Sequence, residues 1–144
     1  MTNVENILQK KGRDVWSVRS DVSVLDALKM MAEKNVGALL VIDGPSLNGV
    51  FSERDYARKS IRGADPHRTV PVKEMMTSVV VTVHPGQSID ECMALMTNHR
   101  VRHLPVIDGA SVVGLISIGD VVKEIISEHE YTIKQLENYI TGAR

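Results

Sequence analysis

Aromatic side chains make up only 3% of this 144-residue chain. That scarcity argues against a base-stacking platform of the kind that holds single-stranded nucleic acid. Charge of one sign is lacking as well. Seventeen basic and eighteen acidic residues leave a formal net charge of −1, too even a balance to hold nucleic acid by bulk electrostatics. Cys92 is the single cysteine, so no intrachain disulfide forms and a reducing, cytoplasmic setting is expected. No apolar run approaches the ~18 residues of a membrane-spanning helix. Met1 to Lys11 is polar and has no signal-peptide core. Catalytic signatures are missing too: no Gly-x-Gly-x-x-Gly, no phosphate-binding loop ending in Lys-Ser/Thr, no Gly-x-Ser-x-Gly. The histidines (His67, His84, His99, His103 and His129) show no zinc-site spacing. The expectation is therefore a protein without catalysis and without a metal.

What the chain does have is a repeat. Gly49-Val50-Phe51-Ser52-Glu53-Arg54-Asp55 returns as Gly114-Leu115-Ile116-Ser117-Ile118-Gly119-Asp120, an offset of 65. The offset holds upstream without a gap: Val18 matches Val83, Ser23 matches Ser88, Met31 matches Met96, and Val41-Ile42-Asp43-Gly44 matches Val106-Ile107-Asp108-Gly109. Such regularity sets the architecture before any local reading. The apolar content of 43% suffices for one compact domain or two small ones packed together.

Within each copy the local signals agree. Val15–Val18 and Val79–Val83 read as short strands. Ser23-Val24-Leu25-Asp26 and Ser88-Ile89-Asp90-Glu91 read as capping boxes opening amphipathic helices. Cys92 aligns with Ala27 on the helix core face and reads as a small buried hydrophobe. Ala38–Ile42 and Leu104–Ile107 are apolar runs that end in Asp-Gly, a hairpin signal. Gly49–Phe51 and Val112–Ile116 return, and Ser52 and Ser117 open the next helices. The second of these is expected to run far, carrying Ile125, Ile126, Ile133, Leu136 and Ile140, with a break near Tyr131-Thr132 as an alternative. Val4, Ile7 and Leu8 make a helical stripe stopped by Gly12. Val72–Met76 reads as one helical turn. The predicted fold class is α+β: two tandem β-α-β-β-α units related by a pseudo-twofold, with flanking helices. The expected boundaries are 1–12 for the N-terminal helix, 13–62 for the first unit, 63–78 for linker and short helix, 79–128 for the second unit and 129–144 for the C-terminal extension. Neither unit should bury enough surface alone, and clefts between related halves are usual ligand places.

Two stretches carry chemistry. Ser-x-x-Asp, at Ser52/Asp55 and Ser117/Asp120, is a helix cap in the plain reading. The same geometry offers helix N–H groups to phosphate and a carboxylate to ribose hydroxyls, and the glycine before it admits close approach to the backbone. Asn98-His99-Arg100-Val101-Arg102-His103-Leu104-Pro105-Val106 is a solvated basic loop in the plain reading. Its arginine forks also match phosphate oxygens. The first copy has Asn35-Val36-Gly37-Ala38-Leu39-Leu40 there instead, so the two clefts are chemically unequal. Arg54, Arg58 and Lys59 supply basic groups on the first unit's helix.

Together with His103-Leu104-Pro105-Val106-Ile107-Asp108, these motifs resemble a pair of CBS (cystathionine β-synthase) domains, a Bateman module. The resemblance covers about residues 13 to 128. Asn35–Val41 and Ser52–Lys59 also resemble a subgroup of small stand-alone CBS-pair proteins. The resemblance implies a regulatory module binding AMP, ADP, ATP, NAD(H) or S-adenosylmethionine. It implies that Asp55 with Ser52, and Asp120 with Ser117, hold ribose and phosphate, and that Arg102 and His103 reach the phosphate of a ligand whose ribose sits on the other unit. Ser17, Val18, Val36, Gly37, Val80, Thr82 and Val101 would sandwich the base. Ala38, Arg54 and Pro105 complete the implied site. A homodimer and an effector protein are the implied partners. The rival reading is a dimerisation adaptor whose Ser-x-x-Asp elements only cap helices.

Overall fold

The computed structural model describes residues 2–62 and 69–141. The stretch Gly63–Arg68 of the expected linker, with His67, lies outside them. In order the elements are α1 (Val4–Lys11), β1 (Ser17–Val18), α2 (Val24–Lys34), β2 (Ala38–Asp43), β3 (Ser46–Ser52), α3 (Glu53–Arg62), a 3-10 turn (Val72–Glu74), α4 (Ile89–His99), β4 (His103–Asp108), β5 (Ser111–Ser117) and α5 (Ile118–Thr141). The chain divides into two bodies. One is Val15–Val80. The other is Val81–Arg144 together with Met1–Asp14. The N-terminal helix thus belongs with the second repeat, and the short turn just after the first repeat belongs with the first.

The repeat is reproduced in the backbone. The hairpin β2–β3 pairs Ala38 with Ser52 through Asp43 with Ser46, and β4–β5 pairs His103 with Ser117 through Asp108 with Ser111. Both ladders shift register at the same place, between Val41 and Ile42 and between Val106 and Ile107. Gly44 and Gly109 sit in the turns at φ +57° and +65°, the left-handed conformation that two-residue hairpins require. Helices α2 and α4 both end on a left-handed residue, Asn35 and Arg100. Asparagine suits that conformation. Arginine does not, and Arg100 carries a local backbone cost there.

Ser88 and Glu91 make a reciprocal capping box, whereas Ser23 only accepts from the Asp26 N–H. Helix α5 is continuous across Tyr131 and Thr132 for 24 residues, so the alternative of a break there is overturned.

One predicted strand is missing. Val79–Val83 is not a strand; it is reduced to a single parallel bridge from Val83 to Val106. The cause lies on its neighbour. In the first body the Leu40 N–H donates to the Trp16 carbonyl at 3.0 Å and ties β1 to β2. Pro105 stands at the equivalent position and has no N–H to donate. Only the contacts flanking it survive: Val83 N–H to the Pro105 carbonyl at 3.0 Å, and Ile107 N–H to the Val83 carbonyl at 2.8 Å.

Each body is closed by a flanking segment. In the second, Val4, Ile7 and Leu8 are buried with Val83, Ile89, Cys92, Met96, Leu104, Val106, Ile116 and Val121. The Val4 and Glu5 N–H groups, orphans at a helix start, donate to the Gln87 and Pro85 carbonyls at 2.9 Å each. In the first body, Val70–Met76 packs against Val22, Val24, Phe51 and their neighbours. There the Val24 N–H donates to the Val70 carbonyl and the Val72 N–H to the Val22 carbonyl.

Both flanks rest on a glycine. A Cβ at Gly114 would stand 2.6 Å from Leu8 Cδ2, and one at Gly49 would stand 2.5 Å from Met76 Sδ and 2.9 Å from the Thr77 carbonyl oxygen. What approaches these backbones closely is the chain's own flank. Leu8 can swing its methyl groups aside, but the Thr77 carbonyl is paired with the Val50 N–H at 3.0 Å and cannot. Gly49→Ala should therefore cost about 1–3 kcal/mol, as overpacking does, and Gly114→Ala clearly less. Urea denaturation of the two variants checks the order.

Candidate functional site

Each candidate site is built on a strand-to-helix junction. Strand β3 ends at Ser52 and α3 begins at Glu53; β5 ends at Ser117 and α5 begins at Ile118. At the first junction the Ser52 N–H donates to Asp55 Oδ2 at 2.9 Å, and the Asp55 N–H donates to Ser52 Oγ at 3.2 Å. At the second, the Ser117 N–H donates to Asp120 Oδ2 at 2.8 Å, and the Asp120 N–H to Ser117 Oγ at 3.2 Å. Both Ser-x-x-Asp elements are thus complete reciprocal caps.

The first N–H of each helix reaches the adjoining strand. Glu53 N–H donates to the Gly37 carbonyl at 3.0 Å, and Ile118 N–H to the Arg102 carbonyl at 2.9 Å. These bonds hold the start of β2 beside Ser52, and the start of β4 beside Ser117. In the first body Val36, Gly37, Ala38, Ser52, Arg54 and Asp55 therefore gather at one junction. Ser17 lies along β1 opposite Leu40, and Val80 falls in the same body. In the second body Val101, Arg102, His103, Ser117 and Asp120 gather. Thr82 is in that body, and Pro105 is buried within β4 opposite Leu115. A pocket of about 410 Å³ opens beside the first junction, with Val36, Gly37 and Glu53 meeting Leu28 and Met31 of α2 and Asn35 at its C-cap.

The two junctions differ in charge. Arg100 and Arg102 are exposed at the second. On the first, Lys59 does not point to a ligand: its Nζ donates to the Met75 and Met76 carbonyls at 2.9 and 3.1 Å. It fastens the flank to α3 instead.

Both carboxylates are already engaged by residues outside the motif. Thr77 Oγ1 donates to Asp55 Oδ1 at 2.8 Å. Lys11 Nζ donates to Asp120 Oδ2 at 2.7 Å and to the Leu115 carbonyl at 2.8 Å. Lys10 pairs with the buried Glu124 at 2.8 Å. None of these partners was visible in the motif pattern. Lys11 and Thr77 lie on flanks far away in sequence, and the 65-residue offset would align Lys11 with Met76, not with Thr77. A weak signal existed for Lys11, as a cation at the last turn of α1.

Burial raises the Asp120 carboxyl, but the Lys11 ammonium and the Ser117 N–H outweigh it and hold it below the usual carboxylate range. Cys92 behaves oppositely: burial first, then the Glu91 charge, push its thiol up to about 11. Among the described residues no three His, Cys, Asp or Glu side chains cluster as a metal site, and no helix is long and apolar enough to cross a membrane.

Both groups have measurable consequences. A lowered carboxyl stabilises the fold above its unfolded pKa and ceases to do so as pH falls through the folded value. Lys11→Met should therefore destabilise by about 1 kcal/mol at pH 7, and the difference from wild type should begin to shrink only below about pH 4, closing as pH falls through the lowered folded value; denaturation curves followed from pH 7 down into the acid range measure it. Cys92 should react with a thiol reagent such as DTNB only as the protein unfolds, with the native rate tracking urea concentration.

Known proteins share this arrangement. The CBS domain family profile matches residues 4–62 and 72–127. The CBS domain-containing protein CBSX3 of Arabidopsis thaliana, mitochondrial by name, is 36% identical over 151 residues, spanning 98% of this chain and 73% of that protein. A solved structure from Burkholderia ambifaria, described as a signal-transduction protein with CBS domains, is 52% identical with a TM-score of 0.81, covering 88% of this chain and 95% of that one. The CBS domain pair of protein MJ0100, in complex with 5′-methylthioadenosine and S-adenosyl-L-methionine, is 25% identical with a TM-score of 0.73, covering 86% and 99%. With two matched segments, the doubled hairpin and the paired strand-to-helix caps, the chain belongs to the CBS domain family as a tandem pair.

Proposed function

We propose that this protein is a regulatory sensor of an adenine nucleotide or related adenosine compound, acting through a partner protein and without catalysis. The observation that carries the reading is the second junction. There Arg102, His103, Ser117 and Asp120 adjoin the N-terminus of α5, and the β4–β5 register pairs His103 with Ser117. A helix N-terminus and arginine suit phosphate, and a carboxylate suits ribose hydroxyls. The adenosine compounds bound by the MJ0100 pair and the signal-transduction description of the Burkholderia protein support it. AMP, ATP and NAD(H) are the first ligands to try, alongside S-adenosylmethionine. Gly37 and Ala38 replace Arg102 and His103 at the first junction, so the second is proposed as the stronger site. A homodimer in a reducing, cytoplasmic setting completes the proposal; a buried, protonated Cys92 suits any reducing compartment.

The second reading is a dimerisation adaptor. It is favoured by the in-chain partners of both carboxylates, since Thr77 and Lys11 give Asp55 and Asp120 a purely structural occupation.

Calorimetric titration of nucleotide-stripped protein with AMP, ATP, NADH and S-adenosylmethionine separates the two. The sensor binds at least one with micromolar affinity. Asp120→Asn keeps a cap acceptor while removing the charge, so it should weaken that binding by roughly 10- to 100-fold with little loss of helix. Folded protein that is silent across the panel leaves the adaptor.

A further inference from the structure

Lys11 lies outside both repeats, yet α1 sets its ammonium at the second junction. Its Nζ donates to Asp120 Oδ2 at 2.7 Å and to the Leu115 carbonyl at 2.8 Å. Among the described residues these are its two acceptors. An ammonium carries three N–H groups, so one is left over. With two protein acceptors in place, tetrahedral nitrogen turns the third N–H away from both. Solvent reaches the pair, with the Lys11 side chain 36% exposed and that of Asp120 18%.

The neighbouring pair is built otherwise. Lys10 meets Glu124 at 2.8 Å, but that carboxylate side chain is only 9% exposed. Lys10 neutralises a buried charge, whereas Lys11 and Asp120 set a donor and an acceptor side by side at an open edge. Gly119 widens that edge. It is exposed in the first turn of α5, and its φ is not positive. Among the described residues a Cβ there would meet only Ser117 Oγ, at 3.6 Å. Neither packing nor backbone conformation requires the glycine, and glycine weakens a helix. What it leaves is a bare helix start next to Asp120. The first repeat has Arg54 at this place, and its carboxylate is met by the Thr77 hydroxyl.

We propose, on the sensor reading above, that Lys11 completes the second junction as a reader of vicinal hydroxyls: Asp120 accepts from one ribose hydroxyl while the Lys11 ammonium donates to the oxygen of the other. Each hydroxyl of a ribose both donates and accepts, whereas an ionised carboxylate only accepts. A donor and an acceptor 2.7 Å apart answer both functions at once. The ammonium stays where it is. Its departure would strip Asp120 and the Leu115 carbonyl of a charged donor that a ligand hydroxyl does not replace. The ligand selected is an adenosine compound with both the 2′ and the 3′ hydroxyl free, since a site built to pair a hydroxyl rejects the analogue that lacks it.

Calorimetric titration of the full chain tests it, with AMP and ATP and the 2′-deoxy and 3′-deoxy form of each. The proteins are wild type, Lys11→Met and Lys10→Met. Wild type should favour the ribose form by about tenfold or more. Lys11→Met should weaken the ribose form by about tenfold and leave unchanged the deoxy form that lacks the hydroxyl facing Lys11. A merely loosened α1 would weaken every form alike. Lys10→Met loosens the same helix without touching Asp120, so it should keep the full ribose preference. Equal losses for ribose and deoxy forms in Lys11→Met, tighter ribose binding in that variant, or no ribose preference in wild type overturns the diol reader while the sensor stands. Wild type that binds neither nucleotide also overturns it, and silence toward NADH and S-adenosylmethionine as well removes the sensor with it.

Discussion

Each half of this protein depends on a missing side chain. Gly49 and Gly114 leave a gap on the returning strand of each hairpin, and a segment from outside the repeat lies in that gap. Leu8 rests on Gly114 and Met76 on Gly49. The hairpin-plus-helices unit has an open apolar face, and burying it needs one more piece of chain. The first repeat takes that piece from its own C-terminal side. The second takes it from the start of the polypeptide, more than seventy residues away in sequence. Neither body is therefore one uninterrupted repeat, and the edges of the repeat in sequence are not the edges of the bodies.

The same flanks decide the chemistry at the strand-to-helix junctions. Once Leu8 is seated, Lys11 is carried to Asp120, and Lys10 to Glu124. Once Met76 is seated, Thr77 reaches Asp55, and Lys59 ties down the carbonyls beside it. Two nearly identical motifs thus end in different environments, one an ion pair and one a neutral hydroxyl contact. The cap and ligand readings of Ser-x-x-Asp share one geometry, because a capped helix start is also an anion-friendly one.

Much of this was legible in residue order. The offset of 65 located both hairpins, their Asp-Gly turns and the two Ser-x-x-Asp caps, because these are local interactions that period-2 alternation, turn residues and cap spacing encode directly. The apolar stripe of α1 and its stop at Gly12 were legible for the same reason. The strand expected at Val79–Val83 was not formed, although its own residues favour it. Its fate rested on Pro105, which looks harmless in its own strand and removes a donor from the next. The continuity of α5 past Tyr131 and Thr132 was left open by local propensity, since neither residue breaks a helix outright.

Hairpin register, helix faces and caps are determined by the sequence by itself, since each depends on residues no more than 14 positions apart, and the repeat is that same local pattern written twice. Which flank closes which repeat, why both glycines are needed, and which partners Asp55 and Asp120 take were decided only in the tertiary structure. Those contacts join segments separated by 22 to 109 positions. No periodicity links a lysine at the end of one helix to a carboxylate at the start of another. Only the packing of Leu8 against a bare backbone brings the two together.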